Sequence, residues 1–321
     1  MDIKEVTPQE LQPEQFIKTQ VAAIAAAVGT GTAINALSGG VDSSVVTLLG
    51  HRALGSRLRS CFIENGLMRE GEPARIVALF KTLGVDVELV PAQDAFFGAL
   101  RGLFDPEEKR EAITRTFYKD VFGRLVKQSG AKFLLQGTNY TDVEETVAGV
   151  KRQHNVLEQL GIETQAAFGY KVLEPVLPLR KTAIRTLARA LGLPAEMAER
   201  PPFPGPALAA RVIGEVTREK IAKVRQATAI TEAELKDSGA FQCLAILHDD
   251  KVTGLRNGKR DFGLQIEVRC WDSTDARTGT ATRLSFDKLE RLARRMTEEV
   301  PGVVSVTYSI TTKPPSTIEA I

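Results

Sequence analysis

From Phe16 to about Pro194 the chain alternates between helix-patterned and strand-patterned segments, and that alternation limits the fold more than any other feature. FIKTQVAAIAAAVG (16–29) spaces its apolar residues three and four apart and stops at Gly, as a helix does. TAINAL (32–37) is a short apolar run of strand length, and SSVVTLLGHRAL (43–54) predicts the next helix. RLRSCFIENG (57–66) and VDVELVPA (85–92) read as strands on either side of the helix EPARIVALFKTLG (72–84). DPEEKREAITRTFYKDVFGRLVKQSG (105–130) reads as one long amphipathic helix, AKFLLQG (131–137) as a fourth strand, and KTAIRTLARALGLP (181–194) as a helix with Pro beyond its end. Strands separated by helices of this length build a parallel sheet covered on both faces.

The pattern breaks at RPPFPGPAL (200–208), whose four prolines and one glycine exclude helix and central strand. Beyond it come a helix (217–236), strand-like runs (240–248 and 264–271), a helix (285–299) and VVSVTYSI (303–310), without strict alternation. The expected organisation is a parallel-sheet α/β domain over residues 1–200 and a smaller α+β domain over 201–321. With 43% hydrophobic residues the chain can bury a sizeable core. Its net charge of +2 gives no argument for nucleic-acid binding, and no apolar run approaches the roughly 18 residues of a membrane span. The N-terminus has no signal-peptide pattern. Cys61, Cys243 and Cys270 are too widely spaced for a disulfide framework or zinc pattern, so a reducing, cytoplasmic setting is expected.

The chemistry concentrates in LSGGVDSSVVTLL (37–49), between the first strand and its helix. A loop there lies at the carboxyl edge of a parallel sheet, where such sheets bind ligands. Gly39 and Gly40 let backbone N–H groups approach a ligand closely, and Ser38, Ser43 and Ser44 add hydroxyls. The following helix, expected from about Ser43, turns its positive end toward the loop. Together these make a cradle for phosphate. A carboxylate would repel phosphate unless a magnesium ion sat between them, which makes Asp42 a candidate metal ligand. The loop has no lysine of the Walker type.

SGGVDSS resembles the pyrophosphate loop of the N-type ATP pyrophosphatases, and longer stretches resemble the synthetase part of GMP synthases: ENGLMREGE (64–72), LLQGTNYTDVEET (134–146), PPFPGPALAARVIGEVT (201–217) and EEVPGVVSVTYSITTKPPSTIEAI (298–321). The resemblance implies a ligase that uses ATP and Mg2+ to adenylate O2 of XMP, releases pyrophosphate, and lets ammonia displace AMP. It implies Ser38, Gly39, Gly40, Val41, Asp42, Ser43 and Ser44 at the phosphates, with Asn65, Gly66, Gly137 and Thr138 also at ATP. Asp142 and Glu145 are implied to face the same site, and Lys151 to supply a catalytic cation from a lid that keeps His154 and Asn155. Arg260, Lys313, Ile318 and Glu319 are implied at the acceptor. A homodimer is implied, and with no glutaminase segment in the sequence, ammonia would be free or supplied by a separate subunit.

The departures cluster in the acceptor half. The lid reads KRQHNVLE (151–158), with Leu157 and Glu158 for two family glycines. RPPFPGPA places Ala207 where the family has Gly, GAF (239–241) stands for Gln-Ala-Phe, NGKRDFG (257–263) puts Phe262 for Tyr, and the end is IEAI rather than Ile-Glu-Trp-Glu. Two other readings stay open on these residues: a paralogue that adenylates a different acceptor for amidation or sulfur transfer, and a catalytically silent ATP-binding dimer.

Overall fold

The computed structural model describes residues 4–147, 170–200, 203–256, 258–274 and 277–320. In chain order its principal elements are α1 (Pro13–Val28), β1 (Ala33–Ala36), α2 (Val41–Leu54), β2 (Leu58–Glu64), α3 (Glu72–Thr82), β3 (Val87–Pro91), α4 (Gln93–Leu100), α5 (Pro106–Arg115), α6 (Gly123–Ser129), β4 (Phe133–Leu135) and α7 (Tyr140–Val147). They continue with β5 (Lys171–Leu173), α8 (Lys181–Ala190), α9 (Ala195–Ala198), α10 (Arg218–Glu234), β6 (Gln242–Arg256), β7 (Lys259–Asp272), β8 (Thr280–Ala281), α11 (Phe286–Glu299) and β9 (Val303–Tyr308).

The chain forms two compact units: Met1–Glu64, Pro73–Pro91 and Phe117–Arg200 make the first, and Asn65–Glu72, Ala92–Thr116 and Pro201–Ile321 the second. The chain passes between them at the proline-rich stretch. It also does so around residues 65–72 and 92–116, which the sequence pattern assigns to the first domain. Those segments belong with the second unit because its residues satisfy their polar groups. Arg225 donates to the carbonyls of Gly66 (2.7 Å) and Met68 (2.8 Å), Leu208 N–H donates to the Leu67 carbonyl (2.9 Å), and buried Lys109 donates to the Val212 carbonyl (3.2 Å).

The first unit is a five-stranded parallel sheet in the order β3-β2-β1-β4-β5. The central β1 is buried, as is Asn35 within it, whose amide donates to Thr47 Oγ1 (2.6 Å) and whose carbonyl accepts from Ser60 Oγ (2.8 Å). α1, α2 and α8 pack against one another. The expected long helix is not continuous: a π-helical stretch, Thr116–Phe122, separates α5 from α6. Phe117 packs there against Tyr118 and Phe122, with ring centroids 4.9 and 6.1 Å away. Asp105, which belongs to the second unit, caps α5 through two N–H bonds of 2.8 and 3.0 Å.

The second unit is built on the long antiparallel pair β6–β7, with β8 antiparallel and β9 parallel to β7. Ile266, Val268 and Cys270 alternate along β7 and are buried. α10 packs on β6, α11 on β9, and the two helices on each other. Gly263 is required for β9 to lie this close: a Cβ there would sit 2.5 Å from Val304 Cγ1 and 2.6 Å from the Gly302 carbonyl.

Ala207 departs from ordinary backbone geometry. Its φ of 54° is left-handed, a region that costs a residue with a Cβ about 1 kcal/mol or more. Glycine, which the resembling family carries there, is the residue such geometry favours. Ala207→Gly is expected to raise stability by about 0.5–1 kcal/mol, the strain relieved less the extra freedom of an unfolded glycine. Chemical denaturation of the two proteins measures it, and a drop in midpoint would refute the strain.

Candidate active site

The strand order reverses between β1 and β4, so the crevice at their carboxyl ends is the topological switch point of the sheet. The serine-glycine loop emerges there. Gly39 has φ of +78°, and Gly40 is the N-cap of α2, which starts at Val41, two residues earlier than expected. Asp42 is therefore in the first turn rather than at the cap, and the N–H groups of Val41, Asp42 and Ser43 have no intrahelical acceptor. The hydroxyls of Ser38 and Ser43 bond each other at 2.9 Å, and Ser43 Oγ also accepts from Ser38 N–H (3.2 Å). Ser44 is turned inward: its N–H and Oγ both donate to the Gly40 carbonyl, at 3.1 and 2.8 Å. Gly137, after β4, lies against this turn. A Cβ there would be 3.2 Å from both the Asp42 carbonyl carbon and the Ser43 nitrogen, so glycine lets β4 close on the loop.

Asp42 is half-buried and divided in its contacts. Its Oδ2 pairs with Lys181 Nζ, while its Oδ1 is buried with no hydrogen-bond partner among the described residues. Thr138 Oγ1 is likewise buried and unpartnered. Lys181 is the first residue of α8, and Arg200 donates to the Gly39 carbonyl at 3.2 Å. Sequence reasoning missed both cations. In the helical pattern Lys181 is one polar residue among several, although a lysine opening a helix faces an unfavourable dipole. Among the described residues no three His, Cys, Asp or Glu side chains gather. A site with one carboxylate suits Mg2+, which keeps waters and takes substrate phosphates as ligands.

Asp142 has a local structural partner. Its Oδ2 accepts from Asn139 N–H (3.1 Å), while Asp142 N–H donates to Asn139 Oδ1 (3.2 Å), a capping box at the start of α7. Lys151, His154 and Asn155 lie outside the described residues, as does the side chain of Glu145. Asn65 and Gly66 fall in the second unit, where Asn65 Oδ1 accepts from Leu67 N–H (2.8 Å) and Gly66 has φ of +78° with Phe97 and Gln93 against it.

The second unit gathers two of the four expected acceptor residues. Cross-strand pairing puts Gln242 opposite Trp271 and Leu244 opposite Arg269, on one face of the β6–β7 pair. The C-terminal segment lies on these residues: Ile318 packs with Leu244 and Trp271, and Glu319 accepts from Arg211 and Gln242. Lys313 exchanges two backbone hydrogen bonds with Gly279, of 2.8 and 3.1 Å. Arg260 is elsewhere. It pairs with Leu255 near the hairpin end, nine residues along β7 from Arg269, or about 30 Å at strand rise.

Behind the segment, Arg269 donates to the Thr317 carbonyl (3.0 Å) and pairs with Glu267 (2.7 Å), which His248 also meets at 2.9 Å. Burial alone would push Glu267 up. The bonds from His248 and Arg269 outweigh it and bring the carboxyl down to about 2. A depressed carboxylate contributes stability that is present above its unfolded value and lost as pH falls through its folded one. Stability is therefore expected to fall between about pH 4.5 and 2 by about 3 kcal/mol from this group. In Glu267→Gln that portion of the acid transition should vanish. Denaturant titrations at pH 6 and pH 3 compare the slopes, and equal slopes would exclude Glu267.

Cys61 offers no nucleophile at the nucleotide loop. Cys61 is buried, and burial together with the Glu88 charge pushes its thiol up to about 12.

A serine-glycine pyrophosphate loop at the switch point of a parallel five-stranded sheet defines a nucleotide domain of the ATP-pyrophosphatase class. The family model described as NAD synthase matches residues 12–207, and that described as GMP synthase C terminal domain matches residues 228–320. Relatives named as one subunit of a glutamine-hydrolyzing GMP synthase match along almost the whole chain. The Archaeoglobus fulgidus protein is 45% identical over 95% of this chain and 98% of its own length. Those of Methanocella arvoryzae and Pyrococcus furiosus are 47% and 44% identical, each over 95% of this chain and 97% of their own length. The chain belongs to the family of these GMP synthase subunits. No described helix is long and apolar enough to cross a membrane.

Proposed function

We propose that this chain is the synthetase subunit of a GMP synthase: it adenylates XMP with ATP, releases pyrophosphate, and aminates the adenylate to GMP. The observation that carries this reading is identity of 44–47% to three GMP synthase subunits, extending over both units. It favours XMP over a different acceptor, and the complete pyrophosphate loop counts against a silent ATP-binding dimer.

The residues have distinct parts in this reading. The N–H groups at the start of α2 and the hydroxyls of Ser38 and Ser43 hold phosphate oxygens, and Gly137 allows the close approach. Lys181 and Arg200 add positive charge where the pyrophosphate leaves. Asp42 would hold Mg2+ through its unpartnered Oδ1, and the ion would neutralise phosphate charge. O2 of XMP attacks the α-phosphorus and the bond to pyrophosphate breaks; ammonia then adds at C2 and AMP departs. The second unit supplies the acceptor residues, with Glu319 at the purine edge.

The name shared by the relatives implies a separate glutaminase subunit, and we assign it the supply of ammonia. We also assign a homodimer. Leu255 and Phe262 are diagonal neighbours on one face of the β6–β7 hairpin and are 80% and 60% exposed, an apolar pair that a second copy would cover. Light scattering at micromolar concentration should give twice the chain mass; a monomer would refute it.

The functional test is pyrophosphate release from ATP, Mg2+ and ammonium, with and without XMP. Saturable stimulation by XMP with equal GMP formed is expected. ATP binding without stimulation would overturn the acceptor assignment.

A further inference from the structure

Glu319 lies outside the regular elements, in the segment that follows β9. Here it is held by three donors. Arg211 approaches as a fork, Nε to Oε2 and Nη2 to Oε1, both at 3.2 Å, and Gln242 Nε2 reaches Oε1 at 3.2 Å. The backbone is held as well: Arg269 Nη1 donates to the Glu319 carbonyl (3.4 Å) and Thr317 Oγ1 to the same oxygen (2.6 Å). Arg211 follows the proline-rich stretch, at the end of the short 3-10 turn Ala207–Arg211. Its side chain is only 1% exposed against 17% for Glu319, and its guanidinium carbon lies 5.2 Å from the Phe203 ring centroid.

Burying a guanidinium to tie down a segment is a poor route to stability, because an apolar pair of the same volume does as well or better. Ile318, packed on Leu244 and Trp271, already anchors the segment. What the fork adds is orientation, since a bidentate pair fixes the plane of a carboxylate where a single contact does not. Moreover, Arg211 Nη1 is buried without a hydrogen-bond partner among the described residues, and so is Trp271 Nε1. Buried donors in native proteins are nearly always satisfied, so two orphans in residues that touch Glu319 and Ile318 point to an acceptor-bearing ligand.

We propose that Arg211 is a positioning residue for acceptor recognition: it fixes the plane of the Glu319 carboxylate, which then reads the purine edge. Gln242 assists on the same oxygen. This rests on the XMP reading above.

The test is steady-state kinetics on the full chain with Arg211→Met, Arg211→Lys, Glu319→Gln and the double variant Arg211→Met/Glu319→Gln. In the Arg211 variants the KM for XMP should rise at least about tenfold while that for ATP changes less than about twofold, the effect of losing an oriented hydrogen-bonding group. Arg211→Lys keeps the charge and loses the fork, so it should fold and still show the rise. The double variant should be no worse than Glu319→Gln alone, because Arg211 acts through Glu319. An unchanged KM for XMP in Arg211→Lys, or losses that multiply in the double variant, would overturn the proposal. If the wild-type protein releases no pyrophosphate in response to XMP, the acceptor reading itself fails and this proposal falls with it.

Discussion

Replacing Asp42 by Asn is expected to slow XMP-stimulated pyrophosphate release by about two to three orders of magnitude while the protein stays folded. The substitution is isosteric, so the turn around Gly39 and Gly40 is not displaced. Two small stability terms change. The Lys181 pair is lost, but Lys181 is 47% exposed, so that pair contributes at most about 1 kcal/mol. A negative charge is also lost from the first turn of α2, where it favours the helix by about 0.3–1 kcal/mol. A loss of rate by two to three decades is about 3–4 kcal/mol, larger than either. Thermal unfolding and initial rates on the same preparation separate the effects. A rate within a factor of two of wild type would remove Asp42 from the chemistry.

The second large effect is expected at Lys181, with a sign that stability arguments alone do not give. A cation at the first position of a helix opposes the macrodipole, and α8 has no acidic residue in its first turn to offset it. Lys181→Met keeps the length of the apolar stem and removes the charge. Stability should hold or rise slightly, because relief of the dipole offsets loss of the exposed pair. Pyrophosphate release should nonetheless fall about a hundredfold, the scale of one charged group acting on a leaving group. Lys181→Arg should recover part of the rate. A rate loss matched by an equal loss of stability would mean that Lys181 only holds Asp42 in place.

The strand-helix alternation from residue 16 onward made the parallel sheet legible, because each segment is consistent with its neighbours. The loop after β1 was legible for another reason: its glycines, serines and single carboxylate have a common use only around phosphate. Other features depend on contacts distant in sequence. Lys181 and Asp42 are 139 residues apart, and Arg211 and Glu319 are 108 apart, so no local pattern joins them. The π-helical break after Arg115 was hidden because the apolar spacing on either side suits a continuous helix. Arg260 is basic and follows a recognisable segment, and within one chain strand register places it at the far end of the hairpin from Glu319.

The second unit is assembled from three separate stretches of chain, two of which are insertions within the first. A gene fragment that ends at residue 200 would carry segments 65–72 and 92–116 without the sheet and helices they belong to. Their apolar residues, Leu67, Met68, Phe96 and Leu100 among them, would then lack their partners. Neither unit can be traded between genes by end-to-end fusion.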